Sequence, residues 1–264
     1  MVVIGWLADS FDSRIGGAEL SERSWVRACP PNVSIVYCPP TKRPPPVDVF
    51  YVGNCTKYGG YWAEELAKHP VVKMVHDPWW EGSPVLRRWL LDNTSLLLFH
   101  SPVQQAGFNY PFDLPVEFIP DTIDIEMFAD AAQTERSGNV FIGRCAHHKG
   151  LHRVVDWALR NDEELDLYGA WAMNFRPGEL PATIRYHGYI DYSIVPQVLG
   201  RAQRFIFMPT WIESYGRIVV EAMAAGCELV LDGDIGCLWW MKHRPDDVNR
   251  GSELLWQAME TVIG

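Results

Sequence analysis

Short apolar runs alternate with helical patterns along the whole chain. In the first half, runs rich in Val, Ile, Leu and Phe predict strands over residues 2–7, 33–38, 47–52, 71–76, 95–100 and 116–119. Between them, apolar residues at helical spacing predict helices over residues 18–28, 61–68 and 84–91. Strands that are apolar on both faces and separated by helices are typical of a parallel sheet covered by helices on both sides.

The same alternation starts again near residue 140. Strands are predicted over residues 140–143, 165–168, 184–188, 205–208 and 228–231, and helices over residues 151–160, 193–200, 217–225 and 252–263. A polar, turn-prone stretch at residues 122–137 separates the two series. We therefore expect an α/β protein with two Rossmann-like domains, residues 1–122 and 123–264. The amphipathic closing helix 252–263 is a candidate to pack back toward the first domain. A ligand is expected at the carboxyl ends of the strands.

The composition fits a globular protein and argues against some classes of binding partner. Of the 264 residues, 48% are hydrophobic, which is enough for a sizeable core. The formal net charge of -10 argues against stable binding to nucleic acid or to an anionic membrane. No apolar run approaches the roughly 18 residues of a membrane span, and the N-terminus lacks the basic lead of a signal peptide. The six Cys show no CxxC spacing, so we expect reduced thiols and a cytoplasmic protein.

Two stretches carry the residue types of a phosphate site. Gly16 and Gly17 stand at the start of a predicted helix, where backbone amides and the helix dipole favour an anion. In "FIGRCAHHKG", Arg144 follows a predicted strand and Lys149 precedes the next helix, so the two cations suit a diphosphate. From the residues alone, ordinary loop glycines and solvated cations are the alternatives. A metal site in segment 145–152 is least favoured, because no acidic residue or second Cys accompanies its Cys and His.

Two carboxylates follow a third predicted strand. In "ESYGRIVVEAMAAG", Glu213 lies in the loop after the strand and Glu221 lies on the following helix, with seven residues between them. A carboxylate accepts two hydroxyl hydrogen bonds at once, so two spaced carboxylates suit a ribose and a second sugar.

His76 ends a predicted strand of the first half, and Asp77, Trp79 and Trp80 follow it in "VHDPWWEGSP". An imidazole at a strand end can hydrogen-bond a ligand, and an indole can stack on a ligand ring. We take these four residues as candidate ligand contacts. The alternatives are a buried structural His, a turn-capping Asp and two core Trp.

Five segments resemble, in order, motifs of the retaining glycosyltransferases of family 4. "GGAE" is similar to the first glycine loop, "FIPDTIDIEMF" to the interdomain segment and "FIGRCAHHKG" to the G-R-x4-K-G donor phosphate motif. "YHGYID" is similar to the strand that lines the nucleobase pocket, and "ESYGRIVVEAMAAG" to the E-x7-E motif. The resemblance spans residues 16–226 and implies a GT-B fold, in which the parallel sheets of two Rossmann-like α/β/α domains face each other across a cleft. This chain is unusually short for the family.

The resemblance also implies roles for individual residues. Arg144 and Lys149 would bind the diphosphate of a nucleotide-sugar and stabilise it as it leaves. Glu221 would hold the ribose, and Glu213 would contact the transferred sugar. His76 would lie close to the reacting centre as a candidate catalytic residue, with Asp77, Trp79 and Trp80 as candidate acceptor contacts. The other donor-binding residues carried over from the family are loop and backbone contacts: Gly16, Gly17, Tyr189, Ile190, Ser214, Tyr215 and Gly216.

The activity that the resemblance implies is a retaining sugar transfer (EC 2.4) from a nucleotide-sugar to a hydroxyl acceptor. A UDP-sugar is favoured over a GDP-sugar, and the acceptor is a glycan or another soluble or macromolecular molecule. No metal and no cofactor are expected, because the two cations neutralise the charge that develops on the leaving diphosphate. A modified nucleic acid base is a minority acceptor. The alternatives are a GT-B module that binds nucleotide-sugars without turnover and, less favoured, a sugar-nucleotide epimerase.

Overall fold

A computed structural model describes residues 1–9, 16–76, 83–108, 113–174 and 177–264. The chain divides into two units: unit 1 contains Met1–Thr122 and Leu238–Gly264, and unit 2 contains Ile123–Cys237. Each unit holds one all-parallel sheet with helical connections, which confirms the predicted α/β class.

Unit 1 is built on a six-stranded sheet. Its strands are β1 (Val2–Leu7), β2 (Val33–Tyr37), β3 (Val49–Val52), β4 (Val71–Val75), β5 (Leu96–Phe99) and β6 (Val116–Phe118), in the order β2-β1-β3-β4-β5-β6. Its helices within the first 122 residues are α1 (Gly17–Arg27), α2 (Trp62–Leu66), α3 (Pro84–Asn93) and α4 (Pro102–Gly107).

Apolar side chains cover both faces of this sheet, as the continuous apolar runs require. Every residue of β3, β4 and β5 is buried. Tyr51 and Met74 share one cluster with Trp25 of α1. Phe50 shares the cluster on the other face with Trp62 of α2.

Unit 2 is built on a five-stranded sheet. Its strands are β7 (Asn139–Ile142), β8 (Leu165–Tyr168), β9 (Ile184–Gly188), β10 (Arg204–Phe207) and β11 (Glu228–Leu231), in the order β11-β10-β7-β8-β9. Its helices are α5 (Ile125–Asp130), α6 (Leu151–Arg160), α7 (Val195–Arg201) and α8 (Arg217–Ala224). Strands β7 and β10 are neighbours, so the loops after them leave from the same edge of the sheet.

The last two helices are α9 (Gly236–His243), which begins at the end of unit 2, and α10 (Gly251–Ile263), which belongs to unit 1. The predicted boundary placed these residues in the second domain, with helix 252–263 as a candidate to pack toward the first, and the structure groups Leu238–Gly264 with unit 1. Trp256 and Met259 of α10 are buried in the same cluster as Trp25. The Trp256 indole N–H donates to the Trp25 carbonyl at 3.0 Å. The apolar face of α10 thus completes the core of unit 1.

Within the described ranges, no helix combines the length and the apolar character that crossing a bilayer requires.

Candidate functional site

The loops that follow β7 and β10 meet in unit 2. The backbone N–H of Thr210 donates to the His148 carbonyl at 3.2 Å, and the Thr210 hydroxyl donates to the His147 carbonyl at 2.8 Å. These bonds join the segment that contains Arg144 and Lys149 to the segment that contains Glu213. The sheet therefore brings together two of the segments that the sequence analysis singled out.

Gly150 makes the close approach of these loops possible. It precedes α6 with φ of 73°, in the left-handed region that favours glycine. A Cβ atom here would lie 1.7 Å from the carbonyl oxygen of Met208. Because any side chain would clash with the β10 loop, the glycine keeps the neighbouring Lys149 against that loop.

Lys149 and Glu213 form an ion pair at this junction. The Lys149 ammonium donates to Oε2 of Glu213 at 2.5 Å. The two side chains are 30% and 18% exposed, so both charges reach solvent at one point of the surface. An ammonium and a carboxylate side by side can bind a ligand that carries both an anionic group and a hydroxyl.

The residues after Glu213 are held by the chain that follows β11. Glu213 forms a parallel bridge with Ile235, and Ser214 and Tyr215 are buried. Gly216 has φ of 88°, and a Cβ atom there would lie 2.7 Å from Cγ2 of Ile235. This position needs glycine, and it sets the start of α8 directly after the carboxylate loop.

Glu221 lies on the second turn of α8 and is 2% exposed. Its Oε1 accepts a hydrogen bond from the Tyr192 hydroxyl at 2.8 Å and lies 3.6 Å from Nε of Arg217. Burial, and then the charge of Glu221, raise the pKa of Tyr192, so this hydroxyl keeps its proton and donates. Glu221 was predicted from the sequence and its two partners were not, although Arg217 stands four residues before Glu221, the spacing of ion pairs on helices.

Tyr189 and Ile190 follow β9, the edge strand of the unit 2 sheet. Tyr189 is 62% exposed, and Ile190 is half-buried. A large exposed ring at a strand end is compatible with the predicted contact with a base, and that role stays a prediction. The same segment continues to Tyr192, which links the end of β9 to Glu221.

Arg144 is exposed, two residues beyond β7. Its side chain makes no hydrogen bond or ion pair to another residue in the described part of the chain. The structure therefore brings Lys149 to a carboxylate but leaves Arg144 facing solvent. The predicted clamp of both cations on one diphosphate stays a prediction.

The Cys and His residues near Arg144 do not assemble into a metal site in the described part of the chain. Cys145 is fully buried, and burial raises the pKa of its thiol to about 12. The rings of His147 and His152 lie 5.3 Å apart on the exposed surface.

The glycine pair of unit 1 stands at the start of α1, as predicted, but a carboxylate occupies that end of the helix. The backbone N–H of Gly16 donates to Oε2 of Glu19 at 3.0 Å. Gly17 is the first residue of α1. A phosphate at this point would compete with the negative side chain of Glu19 for the amide. The role of Gly16 and Gly17 stays a prediction.

His76 lies in a buried polar network of unit 1. Its Nε2 is 3.0 Å from Oε1 of Glu22, and its Nδ1 is 3.0 Å from Nε2 of His100. Nδ1 of His100 in turn lies 3.2 Å from the Ile119 carbonyl and 3.5 Å from Oδ1 of Asp121. Both nitrogens of His76 thus face protein groups, and the ring is 5% exposed. Glu22 and Asp121 were not predicted from the sequence, because no local motif gives a signal for them.

The three candidate acceptor contacts Asp77, Trp79 and Trp80 lie outside the described residues. Their roles stay predictions.

Part of the chain is similar to a curated enzyme, although no protein-family model matches it. Phosphatidyl-myo-inositol mannosyltransferases of Mycobacterium tuberculosis and Mycobacterium bovis are 30% identical over 146 residues. The match covers 46% of this chain and 38% of each relative, so the chain spans well under half the length of these proteins.

Solved structures extend the similarity to the whole chain. HepE of Anabaena, solved in complex with UDP and glucose, superposes with a TM-score of 0.69 at 17% identity and covers 100% of this chain and 92% of HepE. Sucrose-phosphate synthase of Thermosynechococcus elongatus superposes with a TM-score of 0.69 at 14% identity and covers 98% of this chain and 90% of the synthase. The predicted GT-B fold, similar to that of family 4 glycosyltransferases, is confirmed.

Proposed function

We propose that this chain is a glycosyltransferase that moves a sugar from a nucleoside diphosphate sugar to a hydroxyl acceptor, with retention of configuration and without a metal ion. The observation that carries the proposal is the Lys149–Glu213 ion pair, 2.5 Å long, at the carboxyl ends of adjacent parallel strands. Glu213 belongs to the loop that leads into α8, and α8 carries Glu221. In an α/β sheet this edge is where ligands bind.

Each group has a chemical task in this reaction. Lys149 and Arg144 supply positive charge to the diphosphate, whose charge grows as its bond to the anomeric carbon breaks. Glu213 accepts hydrogen bonds from sugar hydroxyls, and Glu221 accepts them from the ribose. A UDP-sugar is the favoured donor. The complex of HepE with UDP and glucose supports this choice.

Retention follows if the acceptor attacks from the face that the diphosphate leaves. The acceptor oxygen then bonds to the anomeric carbon while the bond between that carbon and the oxygen of the leaving diphosphate breaks. The acceptor proton passes to an oxygen of the diphosphate. No protein nucleophile is needed, in contrast to a double displacement. The metal-free proposal rests on Lys149 and Arg144 as the source of positive charge.

His76 is assigned to the buried network of unit 1 rather than to the reaction. A sugar hydroxyl would have to displace Glu22 or His100 to reach a ring nitrogen, because both nitrogens lie 3.0 Å from these groups.

The first experiment measures binding and then turnover. Thermal shift with UDP, GDP and ADP, each with EDTA present, tests nucleotide binding without a divalent ion. Proton NMR of the corresponding glucose and mannose donors then follows sugar release and the anomeric configuration of the product. We expect stabilisation by UDP and a retained product in EDTA.

Three outcomes would count against the proposal in different ways. Binding without turnover, across an acceptor panel of oligosaccharides, nucleosides and phosphatidylinositol vesicles, would favour a module that only binds nucleotide-sugars. An inverted product would overturn the retaining mechanism. If no nucleotide stabilised the protein, the donor class itself would be wrong.

A further inference from the structure

Tyr192, Arg217 and Glu221 of unit 2 form a cluster around one carboxylate oxygen, with Glu221 buried and the other two half-buried. The Tyr192 hydroxyl donates to Oε1 of Glu221 at 2.8 Å, and Nε of Arg217 lies 3.6 Å from the same oxygen. The Arg217 and Glu221 side chains are 10% and 3% exposed. A buried carboxylate is costly unless an opposite charge and hydrogen bonds compensate for its lost hydration, and here both are present.

Different parts of the fold supply the cluster. Arg217 and Glu221 stand one helical turn apart on α8. Tyr192 comes from the segment between β9 and α7, and its ring packs edge-on against Phe128 of α5 at 6.2 Å and 66°. Because Phe128 packs against the ring, the direction of the Tyr192 hydroxyl is set by apolar packing as well as by its hydrogen bond.

We propose that Tyr192, together with Arg217, positions the Glu221 carboxylate for the ribose hydroxyls of the donor and so sets the preference for ribose over 2′-deoxyribose. This inference rests on the proposed function, in which Glu221 accepts hydrogen bonds from the ribose. Tyr192 and Arg217 both approach Oε1, so they hold the carboxylate in one rotamer before the nucleotide arrives. A side chain ordered in advance loses less conformational entropy on binding, which favours the ligand that uses it.

The test compares two nucleotides that differ by one hydroxyl. Isothermal titration calorimetry gives the affinities of UDP and 2′-deoxy-UDP for the wild type and for Tyr192→Phe, which keeps the ring against Phe128. In Tyr192→Phe we expect UDP affinity to fall about tenfold, in the range of one hydrogen bond to a charged group, and 2′-deoxy-UDP affinity to fall much less. The ratio of the two affinities is the decisive quantity, since general damage to the unit would weaken both nucleotides equally.

Two further variants serve as a control and as a second test. Tyr61→Phe removes another tyrosine hydroxyl bond, 2.7 Å to the Pro40 carbonyl in unit 1, and should leave both affinities unchanged. Arg217→Lys keeps the buried positive charge but not the geometry of the guanidinium, so it should lower the UDP preference as well. It also replaces Tyr192→Phe as the test if that variant does not fold.

The outcomes separate the inference from the function beneath it. A wild type that binds none of UDP, GDP and ADP overturns the proposed function and this inference together. A wild type that binds UDP, with an unchanged UDP to 2′-deoxy-UDP ratio in the folded variants, overturns the role of Tyr192 and Arg217 alone. A lower ratio in the variants, with Tyr61→Phe unchanged, supports it.

Discussion

Nδ1 of His76 lies 3.0 Å from Nε2 of His100, inside unit 1 and away from solvent. Each ring reaches a second polar group on its far side: His76 reaches Glu22, and His100 reaches the Ile119 carbonyl. The two rings therefore join α1 to the ends of β4, β5 and β6 through a continuous polar path.

His76→Leu should destabilise the protein strongly. The change leaves Glu22, 4% exposed, without its ring partner, and breaking a buried polar pair costs about 3–5 kcal/mol of unfolding free energy. Urea unfolding measures the loss. His152→Leu on α6 replaces an exposed ring and should stay within about 0.5 kcal/mol of the wild type. Equal stability of the two variants would show that the network contributes little.

Arg144→Ala should lower sugar release from the donor while leaving the fold intact. The side chain is exposed and makes no hydrogen bond or ion pair within the described ranges, so the melting temperature should change little. Removing a hydrogen-bond donor that stabilises charge developing in the transition state lowers the rate about 10²–10³-fold, and we expect a loss of this size here. Steady-state hydrolysis of the donor provides the measurement. Arg160→Ala, an exposed change on α6, is the control, and equal rates in both variants would remove Arg144 from the site.

Gly150→Ala should be far more damaging than Gly138→Ala. The two glycines have nearly the same φ, 73° and 74°, so alanine meets a similar backbone penalty of about 1–2 kcal/mol at both positions. At Gly150 the new Cβ would also lie 1.7 Å from the Met208 carbonyl, whereas at Gly138 no atom lies within 4 Å. The urea midpoint should fall much further in Gly150→Ala than in Gly138→Ala, and nucleotide affinity should fall in Gly150→Ala only. Similar urea midpoints in the two variants would mean that the loop after β10 moves aside without loss of stability.

Stability should decline in alkaline solution because buried thiols resist ionisation. Burial raises the pKa of Cys145 to about 12 and those of Cys38 and Cys227 to about 11. Thiols of the unfolded chain have a pKa of about 8.5, so above this pH the folded chain binds more protons than the unfolded chain. The contribution to stability is complete below that value and is lost as pH rises toward the folded pKa values.

Urea unfolding with reductant at pH 7.5 and pH 10 tests this decline. Cys145→Ala removes one of the groups and should make the fall between the two pH values smaller. An identical fall in the variant and the wild type would assign the alkaline loss to other groups.

The helices and strands could be predicted from the local sequence pattern. The expected strand 165–168 and helix 151–160 coincide with β8 and α6, and the expected strand 2–7 coincides with β1. Continuous apolar runs between helices can form their backbone hydrogen bonds and bury both faces only in a parallel sheet covered by helices. The α/β class therefore follows from the periodicity alone. The Lys149 and Glu213 candidates were also accessible, since residues directly after strands collect at one edge of such a sheet.

Contacts between distant segments depend on strand order and packing, which local pattern does not encode. Tyr192 and Glu221 are 29 positions apart, and His76 and Glu22 are 54 apart. The same limit explains α10: its amphipathic pattern predicts a helix, but the shape of the core around Trp25 selects unit 1. The periodicity of the sequence thus determines which residues face inward, because each helix or strand must bury its apolar face. The tertiary structure determines which side chains these residues contact, because many partners could bury an apolar face and only one arrangement fills the core.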